Sequence, residues 1–387
     1  MEEWYVATPE RLTALCQVLA KSRWLALDTE FIRDRSYYPK LCLVQVCNGE
    51  LAAAIDVVAL PEWEALLDLL YRPDITKVFH AARQDLEILQ QLRGVLPTPL
   101  FDTQTAAALL GHGEQLGYGE LVERELGVVL EKGQGRTDWL QRPLSPQQLR
   151  YALDDVIYLA RSYRQMVARL AAQGRLEWLA EEFAALADPT GYVVEPLQAW
   201  RKVKGRNRLR GHQLAVLQQL AAWREEQAQT LDRPRKWVLR DELLVDLARL
   251  MPSDLAALHA LRGVDAGLLE RYGELLLVQI RQGRALPRGE WPQERGVPPR
   301  LSEQQQAQVD LLAAVLRLEV ERQGIHPQAV AGRRELERLL LGEPTTLLQG
   351  WRAGLVGRRL QALLNGELTV AVVAGEMQLL EHDDGTP

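Results

Sequence analysis

Short apolar runs separated by turn residues dominate the first part of the chain. The runs are rich in branched and aliphatic side chains, and Asn48-Gly49 between two of them favours a tight hairpin turn. A stretch between the later runs instead has the spacing of an amphipathic helix. We predict four strands over residues 24–28, 41–47, 51–58 and 77–80, with one helix over 62–71. This order predicts an α/β domain with a mixed sheet and helices on its faces.

From Ser145 onward the apolar positions recur at intervals of three and four residues, which indicates helices. Ser145 followed by Pro146 predicts a helix start. Gln148 completes a capping box, in which side chains satisfy free N–H groups of the first turn. The helical pattern continues to about residue 190, so we expect the α/β domain to end in helices.

Two further helical segments follow, separated by a stretch rich in proline, glycine and charge. One segment is interrupted at Pro234 and the other at Pro327, 93 residues later. This correspondence predicts an internal duplication of one small helical module. The predicted domains are the α/β domain and two small all-α domains, over 1–195, 208–286 and 300–378.

The composition excludes several classes of protein. Hydrophobic residues make up 47% and charged residues 25% of the 387 positions, an ordinary mixture for a folded chain. No apolar run approaches the roughly 18–20 residues that cross a membrane, and the N-terminus lacks the features of a secretion signal. The three cysteines form no C-x-x-C pair of the kind that holds zinc. We expect a cytoplasmic protein with no membrane-bound part.

Acidic side chains lie near the ends of three predicted elements. Asp28 and Glu30 follow an apolar strand and point to the same side of it, because strand side chains alternate. Asp85 lies near the start of the helix after the fourth strand, where it could simply offset the helix dipole. Tyr151 and Asp155 are four residues apart and share one helix face. Carboxylates that lie close together repel one another unless a cation such as a hard divalent metal is shared between them.

In combination these motifs resemble the DEDD superfamily of 3′→5′ exonucleases, and within it the ribonuclease D family. Tyr151 indicates the tyrosine subclass, because the other subclass has a histidine at the position of Arg150. The resemblance covers about residues 20–165. Its matching stretches are Asp28-Thr29-Glu30-Phe31, Pro39-x-Leu41-x-Leu43-Val44-Gln45, His80-Ala81-x-x-x-Asp85-Leu86-Glu87, Phe101-Asp102-Thr103, Arg136-Thr137-Asp138-Trp139-x-x-Arg142-Pro143-Leu144 and Tyr151-Ala152.

The resemblance implies a ribonuclease H-like fold and hydrolytic release of nucleoside 5′-monophosphates from RNA 3′ ends. It implies that two divalent ions, Mg²⁺ or Mn²⁺, are held by four carboxylates, those of Asp28, Glu30, Asp85 and Asp155. Two such ions stabilise the attacking and leaving oxygens of a phosphodiester. Tyr151 is expected to contact the attacking water. Its ordinary pKa near 10 makes it a poor general base at neutral pH, so we expect it mainly to orient that water.

The helical half resembles HRDC domains, small nucleic-acid-binding modules that occur in tandem in the ribonuclease D family. The first copy carries the resemblance through Trp223-Arg224-Glu225, Asp232-Arg233-Pro234-Arg235, Val238-Leu239-x-Asp241 and Arg271-Tyr272-Gly273. The second copy is assigned by position and helical pattern. The expected partner is RNA, chiefly tRNA precursors, bound by a monomer that uses no nucleotide cofactor and no membrane.

Substrate contacts are predicted from residue type and position. An aromatic side chain beside the metal acids can stack on a terminal base, and arginine or lysine can bind phosphate. Core packing, a hydrogen-bonded core histidine and ordinary exposed charge remain structural alternatives. The candidates are Phe31, His80, Lys132, Arg136, Arg206, Arg208, Arg210, Arg235 and Arg271.

Two other functions fit part of the pattern. A DNA 3′→5′ exonuclease would need the same acids, because contacts to the RNA 2′-OH are not visible in a sequence. The chain has no Walker A pattern, so it carries no helicase motor of that type. A non-catalytic RNA tether is the other alternative, and the complete acidic set argues against it.

Overall fold

The computed structural model describes residues 1–113, 115–131, 137–293 and 301–381. The chain forms two compact units. Unit 1 consists of Met1–Glu30, Leu41–Asp188 and Leu301–Pro387, and unit 2 of Phe31–Lys40 and Pro189–Arg300. The borders of the three predicted domains stay a prediction.

The secondary structure follows the predicted order of a sheet-containing part and a helical part. The strands are β1 (Glu2–Val6), β2 (Trp24–Ile32), β3 (Lys40–Cys47), β4 (Leu51–Ile55), β5 (Thr76–Phe79), β6 (Leu100–Asp102), β7 (Leu368–Val373) and β8 (Glu376–Glu381). The helices are α1 (Pro9–Leu19), α2 (Glu64–Leu70), α3 (Arg83–Arg93), α4 (Thr103–Leu109), α5 (Tyr118–Leu126), α6 (Pro146–Ala172), α7 (Leu179–Leu186), α8 (His212–Thr230), α9 (Arg235–Val238), α10 (Asp241–Leu250), α11 (Leu255–His259), α12 (Ala266–Ala285), α13 (Glu303–Glu321), α14 (Pro327–Val330), α15 (Arg333–Leu340), α16 (Gly350–Arg352) and α17 (Arg358–Leu364). Among these helices of the described residues, none has the length and apolar character that crossing a membrane requires.

The main sheet has six strands in the order β1-β4-β3-β2-β5-β6. The pairs β1–β4, β2–β5 and β5–β6 are parallel, whereas β3 and β4 are antiparallel, so the predicted mixed sheet is confirmed. Every residue of β4 is buried, which explains its continuous apolar sequence. β2 lies between β3 and β5, and this inner position fixes the backbone that carries the first two predicted metal acids.

The structure corrects the strand predictions at three places. β1 and β6 were not predicted, because β1 begins with two exposed glutamates and β6 has only three residues. The third predicted strand ends at Ile55 instead of residue 58. Its end is set by Asp56, whose Oδ1 accepts from the backbone N–H groups of Val58 and Ala59 at 3.1 Å and turns the chain.

Two local predictions are confirmed. The β3–β4 connection turns at Asn48 and Gly49, where Gly49 has φ +94° and the Asn48 side-chain oxygen accepts from the backbone N–H groups of Glu50 and Leu51. α6 begins with the predicted capping box, in which the Ser145 hydroxyl accepts from the Gln148 N–H and the Gln148 side chain accepts from the Ser145 N–H. Pro146 occupies the first turn of this helix.

Unit 2 contains α8 to α12 and the segment that follows β2. The backbone N–H groups of Tyr37 and Tyr38 both donate to Asp232 at 3.0 Å. The Tyr37 hydroxyl donates to the buried carboxylate of Glu225, and Arg235 binds the same carboxylate through Nε and Nη2 at 2.5 and 2.6 Å. These contacts attach the segment after β2 to the helices of the first module.

The third predicted domain repeats the start of the second. α13, α14 and α15 begin 91, 92 and 92 residues after α8, α9 and α10. This nearly constant offset supports the predicted duplication. The two modules differ afterwards, because the 20-residue α12 has no counterpart of that length among the described residues of the third domain.

The prediction that the third domain is helical up to residue 378 is wrong for its last part. β7 and β8 form an antiparallel hairpin there. The turn consists of Ala374 and Gly375 with φ of +52° and +88°, the left-handed pair that short hairpin turns require. The valines of β7 are the sequence signal for this strand, since β-branched side chains favour the extended backbone.

Candidate active site

Three of the predicted metal acids meet at one point. Asp28 and Glu30 project from β2, and Asp155 lies on α6. Each of the three offers a carboxylate oxygen, and these oxygens all lie within 4.8 Å of one another. The sequence spacing places the first two on one side of a strand, and the packing of α6 brings the third to them.

Asp85 joins this group from the first turn of α3. The helix follows β5, which pairs with β2 in parallel register. The carboxyl group of Asp85 is buried, and the Thr29 hydroxyl donates to its Oδ1 at 2.5 Å. Thr29 lies between the two strand acids, so β2 both supplies two carboxylates and orients the fourth.

Burial raises the pKa of all four carboxyl groups. The pKa of Glu30 rises to about 9 through burial and then through the charges of Asp155 and Asp85. The pKa values of Asp85 and Asp155 rise to about 7, chiefly through burial. Asp28 has a pKa well above its ordinary range, through burial and then through repulsion from the other three acids. Such a group retains its charges when a cation shares them.

The donor set fits a hard divalent metal. All the candidate ligands are carboxylate oxygens, the ligands that Mg²⁺ and Mn²⁺ prefer in proteins. They come from β2 and α6, and burial and the charges of the neighbouring carboxylates raise their pKa values. The arrangement can therefore hold metal close to a phosphodiester and position water beside it.

Tyr151 lies one helical turn before Asp155 and is hydrogen-bonded to it. Burial raises the pKa of Tyr151 above its ordinary value, and the charges of Asp155, Glu30 and Asp28 raise it further. Its ring packs beside Trp139, with ring centroids 6.2 Å apart. Trp139 is buried, so the phenol is held from the side by a large rigid ring.

Arg142 fastens the loop that carries Trp139. Its Nε and Nη2 bind the two oxygens of Asp56 at 2.5 and 2.6 Å, and its Nη1 donates to the Trp139 carbonyl at 2.7 Å. The Tyr5 hydroxyl also donates to Asp56, at 2.5 Å. The matching stretches of the resemblance include Arg142 and Trp139, but the sequence indicates no role for either. Arg142 acts through Asp56, which lies 86 positions earlier in the chain.

His80 is hydrogen-bonded within the protein. Nδ1 contacts the Thr103 hydroxyl and Nε2 contacts the Leu116 carbonyl, both at 3.0 Å. Both ring nitrogens therefore have partners within the protein, and a contact between His80 and substrate stays a prediction. Its ring lies 5.5 Å from that of Tyr118, whose hydroxyl donates to the backbone carbonyl of Asp155 at 2.5 Å. Tyr118 thus supports α6 beside the acids, and no sequence signal pointed to it.

The comparisons with known proteins agree with this geometry. A family model described as 3′-5′ exonuclease matches residues 4–171, and an HRDC domain model matches residues 213–280. Ribonuclease D of Acidiphilium cryptum is 39% identical over 383 residues, covering 97% of this chain and 96% of that protein. This chain belongs to the ribonuclease D family. Ribonuclease D of Pseudomonas paraeruginosa is 40% identical over 361 residues, covering 92% of this chain and 94% of that protein.

A solved structure extends the likeness to the fold. The crystal structure of Escherichia coli RNase D, described as an exoribonuclease involved in structured RNA processing, superimposes with a TM-score of 0.79 at 34% identity. The match covers 95% of this chain and 99% of that chain. The chain is therefore a 3′→5′ exoribonuclease of the ribonuclease D family, with the predicted exonuclease fold and a helical HRDC region.

The other predicted substrate residues of this ribonuclease D family member differ in their burial and in their contacts within the protein. Phe31 is half-buried near the end of β2, directly after Glu30, and Lys132 and Arg136 lie outside the described residues. Arg235 is paired with Glu225 and so contributes to the structure of unit 2, and its contact with RNA stays a prediction. The remaining candidates stay predictions: Arg206, Arg210 and Arg271 donate to backbone carbonyls near them, and Arg208 is exposed.

Proposed function

We propose that this exoribonuclease trims the 3′ ends of structured RNA, above all tRNA precursors, and releases nucleoside 5′-monophosphates. The observation that carries the proposal is the half-buried cluster of Asp28, Glu30 and Asp155, with the buried Asp85 beside it. The related enzyme of Escherichia coli is described as acting in structured RNA processing, which supports that substrate class. We also propose that the protein acts as a cytoplasmic monomer.

In this proposal the four carboxylates hold two divalent ions, Mg²⁺ or Mn²⁺. Asp28, Glu30 and Asp155 would hold one ion, and Asp28 with Asp85 would hold the other. Asp28 would contribute to both, since it is the acid on which the charges of all three others act. The ions supply positive charge that stabilises the attacking and leaving oxygens of the phosphodiester.

Tyr151 is proposed to orient the attacking water. Its raised pKa keeps the phenol neutral, so the hydroxyl acts as a hydrogen-bonding group and not as a phenolate base. Trp139 fixes the ring, and the Arg142–Asp56 pair fixes the loop of Trp139. These residues act by keeping the hydroxyl in one place relative to Asp155.

The test uses the full chain and a 3′-extended tRNA precursor labelled at its 5′ end. Digestion is compared in Mg²⁺, Mn²⁺ and EDTA, with a matched DNA oligomer and with the Asp155→Ala variant. The expected result is a ladder that shortens from the 3′ end, needs metal, is lost in the variant and is weak on DNA. Equal or better digestion of DNA would move the substrate to DNA. RNA binding without digestion of either would instead favour a tether.

A further inference from the structure

A groove in unit 2 carries cations that the predicted RNA contacts do not include. It has a volume of about 870 Å³. Its walls come from the segment after β2, the stretch before α8, and α9 with α10. The basic residues lining it are Arg33, Lys202, Lys204, Arg224, Arg235, Lys236 and Arg240, and the acidic ones are Asp34, Asp241 and Glu242.

Four of these basic residues, which we call the groove cations, are available to a ligand: they are Lys202, Lys204, Lys236 and Arg240. All four are exposed, and within the described ranges no ion-pair or hydrogen-bond partner contacts their side-chain nitrogens. The other charges largely cancel, since Arg224 binds Asp241 at 2.7 Å and Asp34 lies 3.7 Å from Arg35. The groove therefore has a surplus of positive charge.

Trp237 lies between the groove cations Lys236 and Arg240 along the chain. The residue is 54% exposed and lines both this groove and a second one of about 810 Å³. The second groove adds Arg262, Arg271 and Tyr272 to the same surface. A single exposed apolar residue is ordinary. An exposed indole that borders two cation-lined grooves combines the two features that bind single-stranded nucleic acid, a charged track and a stacking face.

We propose that this groove binds an unpaired segment of RNA, with its phosphates against the groove cations and a base stacked on Trp237. The proposal rests on the proposed function, because it takes an RNA substrate as given. A single strand is favoured over a duplex because duplex bases are stacked on one another and present no face to an indole. The sequence predicts RNA contacts at neighbouring arginines of this module. The groove assigns the RNA contacts mainly to the groove cations and Trp237 instead.

The first experiment tests the stacking. The anisotropy of a fluorescein-labelled 12-nucleotide oligoadenylate is measured with the full chain in EDTA, so that binding is observed without hydrolysis. Trp237→Ala is expected to weaken binding about tenfold, within the range known for loss of one base–aromatic stack. Trp237→Phe is expected to restore most of the affinity, because it keeps an aromatic face. Equal affinity for the wild type and the alanine variant would overturn the assignment.

The second experiment tests the phosphate track. Lys202→Gln with Lys204→Gln should lower the slope of log Kd against log[NaCl] by about 1.4, at ~0.7 for each phosphate contact of a single strand. Arg281→Gln with Arg284→Gln is the matched control, because both arginines are exposed in unit 2 and line neither groove. A control that lowers the slope as much as the lysine pair would show diffuse attraction and contradict a defined groove.

Two further readouts separate this proposal from the proposed function. A 12-base-pair RNA duplex should bind the wild type and Trp237→Ala alike, and an equal loss on duplex would reject the unpaired strand as occupant. Hydrolysis of the oligoadenylate in Mg²⁺ reports the active site independently. If the wild type degrades RNA while the groove variants bind normally, the groove fails and the proposed function stands. If the wild type binds through the groove without hydrolysis, the proposed function fails.

Discussion

Carboxylates at two places in this chain, half-buried in unit 1 and buried in unit 2, have opposite electrostatic surroundings. In unit 1, Asp28, Glu30 and Asp155 lie together, and burial and mutual repulsion raise their pKa values. In unit 2, burial alone would raise the pKa of Glu225, but hydrogen bonds from Arg235 and Tyr37 outweigh that effect and hold it below its ordinary value. Among the described residues, no cation is paired with the first set, whereas the second set has its counter-charge in Arg235.

This difference separates carboxylates that stabilise the folded structure from carboxylates that take part in catalysis. A buried carboxylate paired with arginine is satisfied when the chain folds. Buried carboxylates without a cation destabilise the fold, and sites of this kind persist where function needs them. Unit 1 itself contains both kinds, because the fully buried Asp56 is paired with Arg142. The contrast thus marks the active site and not the unit.

The largest expected effect comes from removing one of the clustered charges. Asp155→Asn should lower the rate of RNA hydrolysis by about a thousandfold, equivalent to about 4 kcal/mol of transition-state stabilisation, because a metal ligand is lost. Single-turnover digestion in Mg²⁺ measures it. Asp154→Asn is the matched control, since Asp154 is paired with Arg150 at 2.9 Å outside the cluster. A comparable loss in the control would contradict the assignment.

Removing the paired charge should change stability instead of chemistry. Glu225→Gln is expected to lower the free energy of unfolding by about 2–3 kcal/mol, somewhat less than a fully buried pair would lose, because the Arg235 side chain is 38% exposed and can regain water. Urea unfolding of the full chain measures the change. The neighbouring, exposed Glu226→Gln should leave stability within about 0.5 kcal/mol.

The catalytic and the structural carboxylates can also be compared by removing one tyrosine hydroxyl at each place. Tyr151 hydrogen-bonds to the half-buried carboxylate of Asp155, and Tyr37 to the buried carboxylate of Glu225. Tyr151→Phe should reduce hydrolysis about a hundredfold with little change in thermal stability, since the group that orients water is lost. Tyr37→Phe should lower stability by about 1 kcal/mol and leave the chemical step unchanged. The opposite pattern would reverse the two roles.

The smallest expected effect is a pH dependence of stability in the metal-free protein. Glu30 binds its proton more tightly in the folded state, so its contribution is present below pH 4.5 and is lost as pH rises towards 9. In EDTA the melting temperature of the protein should therefore fall as the pH rises through this range. Mg²⁺ should reverse the fall, and Glu30→Gln should reduce it. A flat profile in EDTA would contradict the raised pKa.

Much of the active site could be predicted because its motifs are local. The positions of Asp28 and Glu30 follow from the alternation of one strand, and those of Tyr151 and Asp155 follow from one turn of helix. The resemblance to the exonuclease superfamily joined these local motifs into one site. The capping box at Ser145 could also be predicted, since all its parts lie within four residues.

Residues that depend on distant partners could not be predicted. Arg235 was expected at the RNA, yet it binds Glu225 and Tyr37, the latter from a segment almost 200 residues earlier. His80 has partners 23 and 36 positions later in the chain, and Arg142 acts through Asp56. The groove around Trp237 likewise combines the segment after β2 with α9 and α10.

The sequence by itself therefore determined the class of fold, the helical modules and the four acids with their tyrosine, because alternation, helical spacing and capping act over a few residues. The tertiary structure decided which charges are neutralised inside the protein. An arginine with a buried carboxylate partner is structural, whereas Lys202 or Arg240 without one can meet phosphate. The physical reason is that pairing and burial depend on distances between segments that lie far apart in the chain, and these distances are fixed only when the chain folds.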